Sequence, residues 1–316
     1  MIVGLAQIAP VLLDRAATLA KVVARVDEAG DRGCDLVAFG EALVPGYPVW
    51  LSRTDAARFE AADQKELHAL YSDQAVQLSA GHLDEVCAAA ARRGVAVVLG
   101  VVERADDRGG HSLYCSRVFV EPDGSVGSVH RKLMPTYEER LAWAQGDGAG
   151  LVVHRLRGFT VGALNCWENW LPLARAALHA QGEDLHLAIW PGGQQNTADI
   201  TRYMAREGRS FVLSVSGLLR AEDVPLTTPH RARIVRSEDE VLFDGGSAAA
   251  GPDGSWLLEP VVGREELVVL ELDHARVREE RQNFDYSGHY GRPDVFALEV
   301  DRRRQQTLKW RDDSDN

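Results

Sequence analysis

Cys166, Lys132 and Glu41 are the residues of this sequence whose types could carry out covalent chemistry together. Each stands at or just past the end of a short apolar run. Phe159 to Leu164 leads into Asn165-Cys166, Val126 to His130 into Arg131-Lys132, and Asp35 to Phe39 into Gly40-Glu41. A thiolate attacks an electrophilic carbon, and a carboxylate can take the thiol proton and later activate water. An ammonium stabilises charge developing on a substrate heteroatom and favours the thiolate. A helix-like segment follows Cys166, and its N-terminus is expected to lower the thiol pKa. Taken singly, each residue also fits a plainer role. A free cysteine is most often a small buried hydrophobe, and lone charged residues mostly solvate surfaces. Recurrence at three strand ends favours the chemical reading, because ligands of open α/β sheets collect beyond the carboxyl ends of the strands.

The elements that must position these residues can be read from periodicity. Ile2 to Ile8 reads as a strand. Leu19, Val22, Val23 and Val26 recur at helical spacing, and Gly33 ends that helix. Residues 51 to 75 read as polar and irregular, with room for a short helix. Leu78 to Arg93 is helical and closes at Gly94, and Val95 to Val102 is a strand. Leu113 to Val120, Pro122-Asp123-Gly124 and Val126 to His130 form a hairpin. Residues 135 to 150 read as a polar loop, with Gly146 to Gly150 flexible. Leu171 to Gln181 and Asp199 to Arg209 read as helices, and Leu185 to Trp190 and Phe211 to Val215 as strands. Residues 219 to 244 form a long charged excursion of the kind that borders sites. A second strand–Pro-Asp-Gly–strand unit follows, then a strand over Leu267 to Leu272. From about Asp273 the chain is a polar tail that ends in Arg311 to Asn316 and is expected to fray. Two similar halves fed by helices predict two sheets face to face with helices outside, without a linker between domains.

Bulk properties narrow the function. The 316 residues carry a net charge of −12, the wrong sign for a polyanion-binding protein, so a nucleic-acid partner is not expected. The four cysteines have no zinc or disulfide-framework spacing, and the ten histidines have no ligand spacing, so no metal is expected. Absence of a basic, apolar leader and of a ~20-residue apolar run predicts a cytoplasmic protein with no membrane association.

Three blocks of sequence carry a specific resemblance. Phe39-Gly40-Glu41-Ala42-Leu43-Val44-Pro45-Gly46-Tyr47-Pro48, His130-Arg131-Lys132-Leu133-Met134-Pro135-Thr136-Tyr137-Glu138-Glu139-Arg140 and Asn165-Cys166-Trp167-Glu168-Asn169-Trp170-Leu171-Pro172-Leu173-Ala174-Arg175 resemble the signature blocks of the carbon–nitrogen hydrolase (nitrilase) superfamily. With Ser287-Gly288-His289-Tyr290-Gly291-Arg292-Pro293-Asp294, they are most similar to its true-nitrilase branch. The resemblance spans Ile2 to about Asp294. It implies an α/β fold, a four-layer αββα sandwich of two mixed sheets, as a single domain over residues 1–294 with a polar tail over 295–316. It implies Glu41 as general base, Lys132 as stabiliser of the tetrahedral intermediate and Cys166 as nucleophile. The family's second glutamate falls on Glu139, where it would hold Lys132 and help place water. Substrate-binding positions fall on Tyr47, Trp143, Trp167 and Pro191, and core packing is the rival role for the two tryptophans. The family commonly has Tyr-Asn where this chain has Tyr114-Cys115, so an amide that could bond a neighbouring strand or loop is missing there.

The implied activity is hydrolysis of a small-molecule nitrile to acid and ammonia through a thioimidate and a thioester, without cofactor. Alternatives are an amidase or nitrile hydratase-like activity at the same Glu-Lys-Cys site, and an inactive binding or assembly scaffold. The resemblance also implies a homo-oligomer, a dimer or a larger spiral.

Overall fold

The computed structural model describes residues 1–308. The chain builds two mixed β-sheets face to face with helices on both outer surfaces, an αββα sandwich. It starts with β1 (Ile2–Gln7), α1 (Arg15–Asp31) and β2 (Leu36–Phe39). Asp14 caps α1 by accepting from the Ala17 N–H at 2.9 Å, and Leu19, Val22, Val26 and Ala29 form its buried stripe. Next come α2 (Trp50–Arg53), α3 (Ala62–Gln74), α4 (Asp84–Arg93), β3 (Ala96–Arg104) and the hairpin β4 (Leu113–Val120) and β5 (Val126–Arg131). The second half holds β6 (His154–Leu156), β7 (Phe159–Asn165), α5 (Pro172–His179), β8 (Leu185–Trp190), α6 (Gln194–Thr197), α7 (Ile200–Gly208) and β9 (Phe211–Ser216). Then follow β10 (Leu218–Arg220), α8 (Arg231–Ile234), β11 (Val241–Ala250), β12 (Trp256–Val262), β13 (Glu266–Glu271) and α9 (Ala275–Arg281).

The first sheet runs β13-β1-β2-β3-β4-β5, with β1, β2 and β3 parallel and the flanking strands antiparallel. The second runs β10-β11-β9-β8-β7-β6, with β7, β8 and β9 parallel and β12 paired to β11. Alternate side chains of each strand face opposite layers. Val3, Leu5, Leu36, Ala38, Val98 and Phe119 of the first sheet therefore meet Phe159, Val161, Leu187, Ile189 and Leu213 of the second. The opposite face of the first sheet buries Val37, Phe39, Val97 and Leu99 against Val22, Val26, Val86 and Ala89 of α1 and α4. No helix among the described residues is long and apolar enough to cross a membrane.

Four segments differ from the periodicity reading. Residues 51 to 75 contain the thirteen-residue helix α3, whose buried side chains are Leu67 and Tyr71; two apolar anchors on a polar helix give almost no periodic signal. Gly146 to Gly150 is tied down rather than flexible. Gly146 N donates to Lys132 O at 2.9 Å, and Asp147 accepts from Ala149 N and from the Arg304 guanidinium. The excursion over 219 to 244 carries β10, α8 and the start of β11. The polar C-terminal stretch contains α9, and Arg304 and Gln305 anchor on Asp147 at 2.9 and 3.0 Å. Arg311 to Asn316, expected to fray, lie outside the described residues.

Close approach of backbones sets the position of Glu41. Gly100 of β3 lies under the turn after β2, and a Cβ there would meet Gly40 O at 2.1 Å, Glu41 Cα at 2.7 Å and Ala42 N at 2.8 Å. Gly100→Ala must displace that turn. We expect a loss of about 1–3 kcal/mol in urea unfolding, accompanied by a fall in activity.

Candidate active site

Each of the three strand ends is fixed by backbone bonds before its side chain is considered. Glu41 N donates to Trp190 O at 3.0 Å, which ties the end of β2 to the end of β8 in the other sheet. Lys132 extends β5 by one residue. Its N–H donates to Cys115 O at 2.8 Å, and its carbonyl accepts from Gly146. Strand alternation sends Arg131 outward to Glu103 and Asp107 and Lys132 inward. Cys166 ends β7 at φ +47°, a left-handed conformation that costs a non-glycine residue about 1–3 kcal/mol. Asn169 stabilises that turn: its Nδ2 donates to Cys166 O at 2.7 Å, while its Oδ1 meets His186 Nε2 at 2.7 Å. His186 Nδ1 lies 2.8 Å from Glu183 Oε1.

The side chains converge in the layer between the sheets. Lys132 Nζ lies 2.8 Å from Glu41 Oε1 and 2.7 Å from Glu139 Oε2. One ligating atom each of Glu41, Glu139 and Cys166 lies within 4.8 Å of the others. Such a trio could hold a cation, but the Lys132 ammonium already stands between the two carboxylates. Glu139 lies in the short helical turn Tyr137–Leu141. It accepts from the Thr136 N–H at 2.6 Å and from the Tyr47 hydroxyl at 3.0 Å. Glu41 Oε1 accepts from the Cys115 thiol at 3.2 Å, and Glu41 Oε2 is buried with no hydrogen-bond partner among the described residues.

These surroundings set the proton affinities. Burial pushes the Glu41 carboxyl up to about 7, against the pull of the Lys132 ammonium and with the help of the Glu139 charge. Burial opposes the charge on Lys132, but Glu41, Cys166 and Glu139 outweigh it and hold the ammonium. The thiol of Cys166 does not behave as the sequence suggested. Burial raises it well above the ordinary value, Glu41 adds to this, and Lys132 and the Trp167 N–H offset it only in part. The helix read from Leu171 starts at Pro172 as α5, and a short tight turn over Cys166–Trp170 stands between it and the end of β7. The resting thiol therefore keeps its proton and needs a base.

The cluster opens on a cleft of about 240 Å³ lined by Cys166, Glu139, Tyr47, Trp167 and Pro191, among others. Trp143 stands elsewhere. It is 3 % exposed, meets the Tyr47 ring edge-on at 5.6 Å and lies 5.7 Å from Lys132 Nζ, so it backs the cleft wall rather than forming it. Ser52, Arg53, Gln195, Asn196 and Phe243 also line it, and the sequence reading did not single them out. Gln195 and Asn196 follow the end of β8, so the strand-end rule could have found them; Phe243 enters from a distant strand and leaves no local signal. Cys115 reaches the site because Lys132 continues the β4–β5 pairing opposite it.

A buried thiol, a carboxylate of raised proton affinity and a fixed ammonium beside a small cleft form a constellation suited to nucleophilic attack on an electrophilic carbon. The family model for carbon-nitrogen hydrolases matches residues 2–282. A protein called nitrilase 2, from an unknown prokaryotic organism, is 35 % identical over 310 residues, 98 % of this chain and 95 % of that one. An aliphatic nitrilase of Sinorhizobium fredii (strain HH103) is 35 % identical over 309 residues, with 96 % of each chain covered. Among solved structures, a carbon-nitrogen hydrolase from Helicobacter pylori G27 shares the fold with a TM-score of 0.68 at 21 % identity, covering 90 % of this chain and 93 % of that one. The chain belongs to the carbon–nitrogen hydrolase family, whose members are hydrolases acting on carbon–nitrogen bonds.

The raised proton affinity of Glu41 gives a pH signature. A carboxyl can accept the thiol proton only when ionised, so kcat/KM should rise as pH increases through about 7 and fall below it. A pH–rate profile of the wild type checks this. Glu41→Gln should lower kcat/KM by roughly 10²–10⁴-fold.

Proposed function

We propose that this protein hydrolyses small nitriles to the carboxylic acid and ammonia, with Cys166 as nucleophile, Glu41 as general base, Lys132 as electrostatic stabiliser and Glu139 as the group that holds Lys132. The observation that carries the reading is the unpartnered Glu41 Oε2 in a buried cluster with the Cys166 thiol and the Lys132 ammonium. Glu41 takes the thiol proton as sulfur attacks the nitrile carbon, and the nitrogen receives that proton to give a thioimidate. Water adds to the thioimidate carbon, losing a proton to Glu41. That proton passes to nitrogen, the proton left on the adduct's hydroxyl follows it as the carbonyl re-forms, and ammonia leaves a thioester. A second water, deprotonated by Glu41, attacks the thioester, and collapse expels the sulfur, which recovers the proton. The net reaction consumes two waters per nitrile. Lys132 and the Trp167 N–H face the charge that develops at each addition. Tyr47, Trp167 and Pro191 shape the cleft, and Trp143 supports Tyr47 and Lys132 from behind.

The tetrahedral adduct formed from the thioimidate has two exits. Loss of ammonia gives the acid; loss of the sulfur gives the amide, and an amide substrate would join the same path at the thioester. Arg53, Gln195 and Asn196 give the cleft polar groups that can hold the attacking water. Exposed apolar side chains at Trp170, Leu171, Leu173 and Tyr203 support the proposal of a homo-oligomeric state, and a cytoplasmic location is part of the same proposal.

Ammonia release across a panel of aliphatic, aromatic and arylacetonitriles tests the reading, with chromatography of acid and amide. Cys166→Ala should lose roughly 10⁴-fold or more in turnover with its fold intact by circular dichroism. Substantial residual turnover would remove Cys166 from the mechanism. A wild type inert to every nitrile, with Cys166 alkylated by iodoacetamide no faster than Cys34 or Cys87, would favour a silent scaffold.

A further inference from the structure

The Glu168 carboxylate lies outside the reacting cluster and outside the cleft lining, yet it is fully buried. Its Oε1 accepts from the Leu133 N–H at 2.6 Å and its Oε2 from the Asn165 N–H at 2.9 Å. His130 Nε2 lies 3.0 and 3.1 Å from the two oxygens, and since a carboxylate only accepts, that nitrogen carries its proton. Leu133 directly follows Lys132, and Asn165 directly precedes Cys166. Lys132 belongs to the end of β5 in the first sheet, and Cys166 to the end of β7 in the second.

We propose that Glu168 is a positioning residue: one carboxylate straps the two sheets together beside the site and sets the separation of Lys132 from Cys166. The reacting groups come from different sheets, and apolar packing between sheets is non-directional, so it tolerates sliding that a pair of charged hydrogen bonds does not. Each oxygen is bonded to a backbone N–H one residue away from a reacting group, so displacement of the strap passes directly into the separation of the ammonium and the sulfur. Burial works against the Glu168 charge, but His130 and the two amides outweigh it and hold the carboxyl below its ordinary range. The buried Arg117 guanidinium adds longer-range attraction to the same anion. The strap is therefore ionised and keeps both acceptors at neutral pH.

The proposal rests on the nitrile-hydrolase reading for its kinetic test, and a second readout frees it from that reading. Glu168→Gln preserves shape but turns one acceptor into an N–H₂ donor facing a backbone N–H. Ammonia release should show kcat lower by about 10- to 100-fold with KM within about threefold, because Glu168 does not line the cleft. Glu168→Asp keeps the charge but is one methylene too short to reach both amides. It should show the same split with a smaller fall, and it decides the matter if the Gln variant does not fold. Alkylation of Cys166 by iodoacetamide should slow in both variants, as the sulfur moves away from Lys132 and Glu41. Wild-type kcat in both variants, a change confined to KM, or an unchanged alkylation rate would overturn the strap. A wild type that releases no ammonia from nitriles would overturn the nitrile reading alone, and the alkylation comparison would still decide for or against the strap.

Discussion

Lys132 holds its buried ammonium between the buried carboxyl groups of Glu41 and Glu139, beside the cleft. Each buried charge costs several kcal/mol of hydration, and a bare pair of carboxylates at this distance would not both stay ionised. The ammonium makes the arrangement tenable but leaves one excess negative charge. The other donors are unevenly divided. Glu139 receives an amide and a phenol in addition to Lys132, whereas Glu41 receives only the weak thiol donor of Cys115 and keeps one oxygen bare. The excess proton affinity therefore collects on Glu41, the carboxylate assigned here as base. A protonated thiol and a basic carboxylate at rest are two sides of the same burial.

Such a cluster requires a frame stiffer than its own attractions. The groups come from the ends of β2, β5 and β7, which belong to two sheets, and the shared apolar layer fixes the distance between those sheets. Directional bonds then fix the register at the site: Glu41 N on Trp190 O, Asn169 on the strained carbonyl of Cys166, and Glu168 on the amides flanking Lys132 and Cys166. The left-handed turn at Cys166 survives because Asn169, and behind it His186 and Glu183, are themselves buried and bonded.

The sequence made the two-sheet architecture legible because buried strands ending in polar residues leave a local mark, and Glu41, Lys132 and Cys166 all carry it. Tyr47, Trp167 and Pro191 line the cleft, while Trp143 stands behind Tyr47. Other features left no such mark. The polar helix α3 buries only Leu67 and Tyr71 among its thirteen residues. The raised thiol pKa depends on burial from every side, which a helix-start argument from sequence cannot weigh. The bonds of Cys115 to Glu41 and of Glu168 to Leu133 span 74 and 35 residues, and only the side-by-side order of β2, β3 and β4 and the stacking of one sheet on the other create them.

In the proposed reaction carbon becomes covalently bound to Cys166, with Glu41 receiving the thiol proton. The most direct measurement is intact-protein mass spectrometry of enzyme acid-quenched during turnover of a nitrile, followed by peptide mapping. An added mass equal to the acyl group, or to its imidate precursor, is expected on the peptide containing Cys166. Replacement of Glu41 by glutamine should greatly slow the appearance of that mass. Turnover with no adduct at any quench time, or an adduct on Cys115 in place of Cys166, would contradict it.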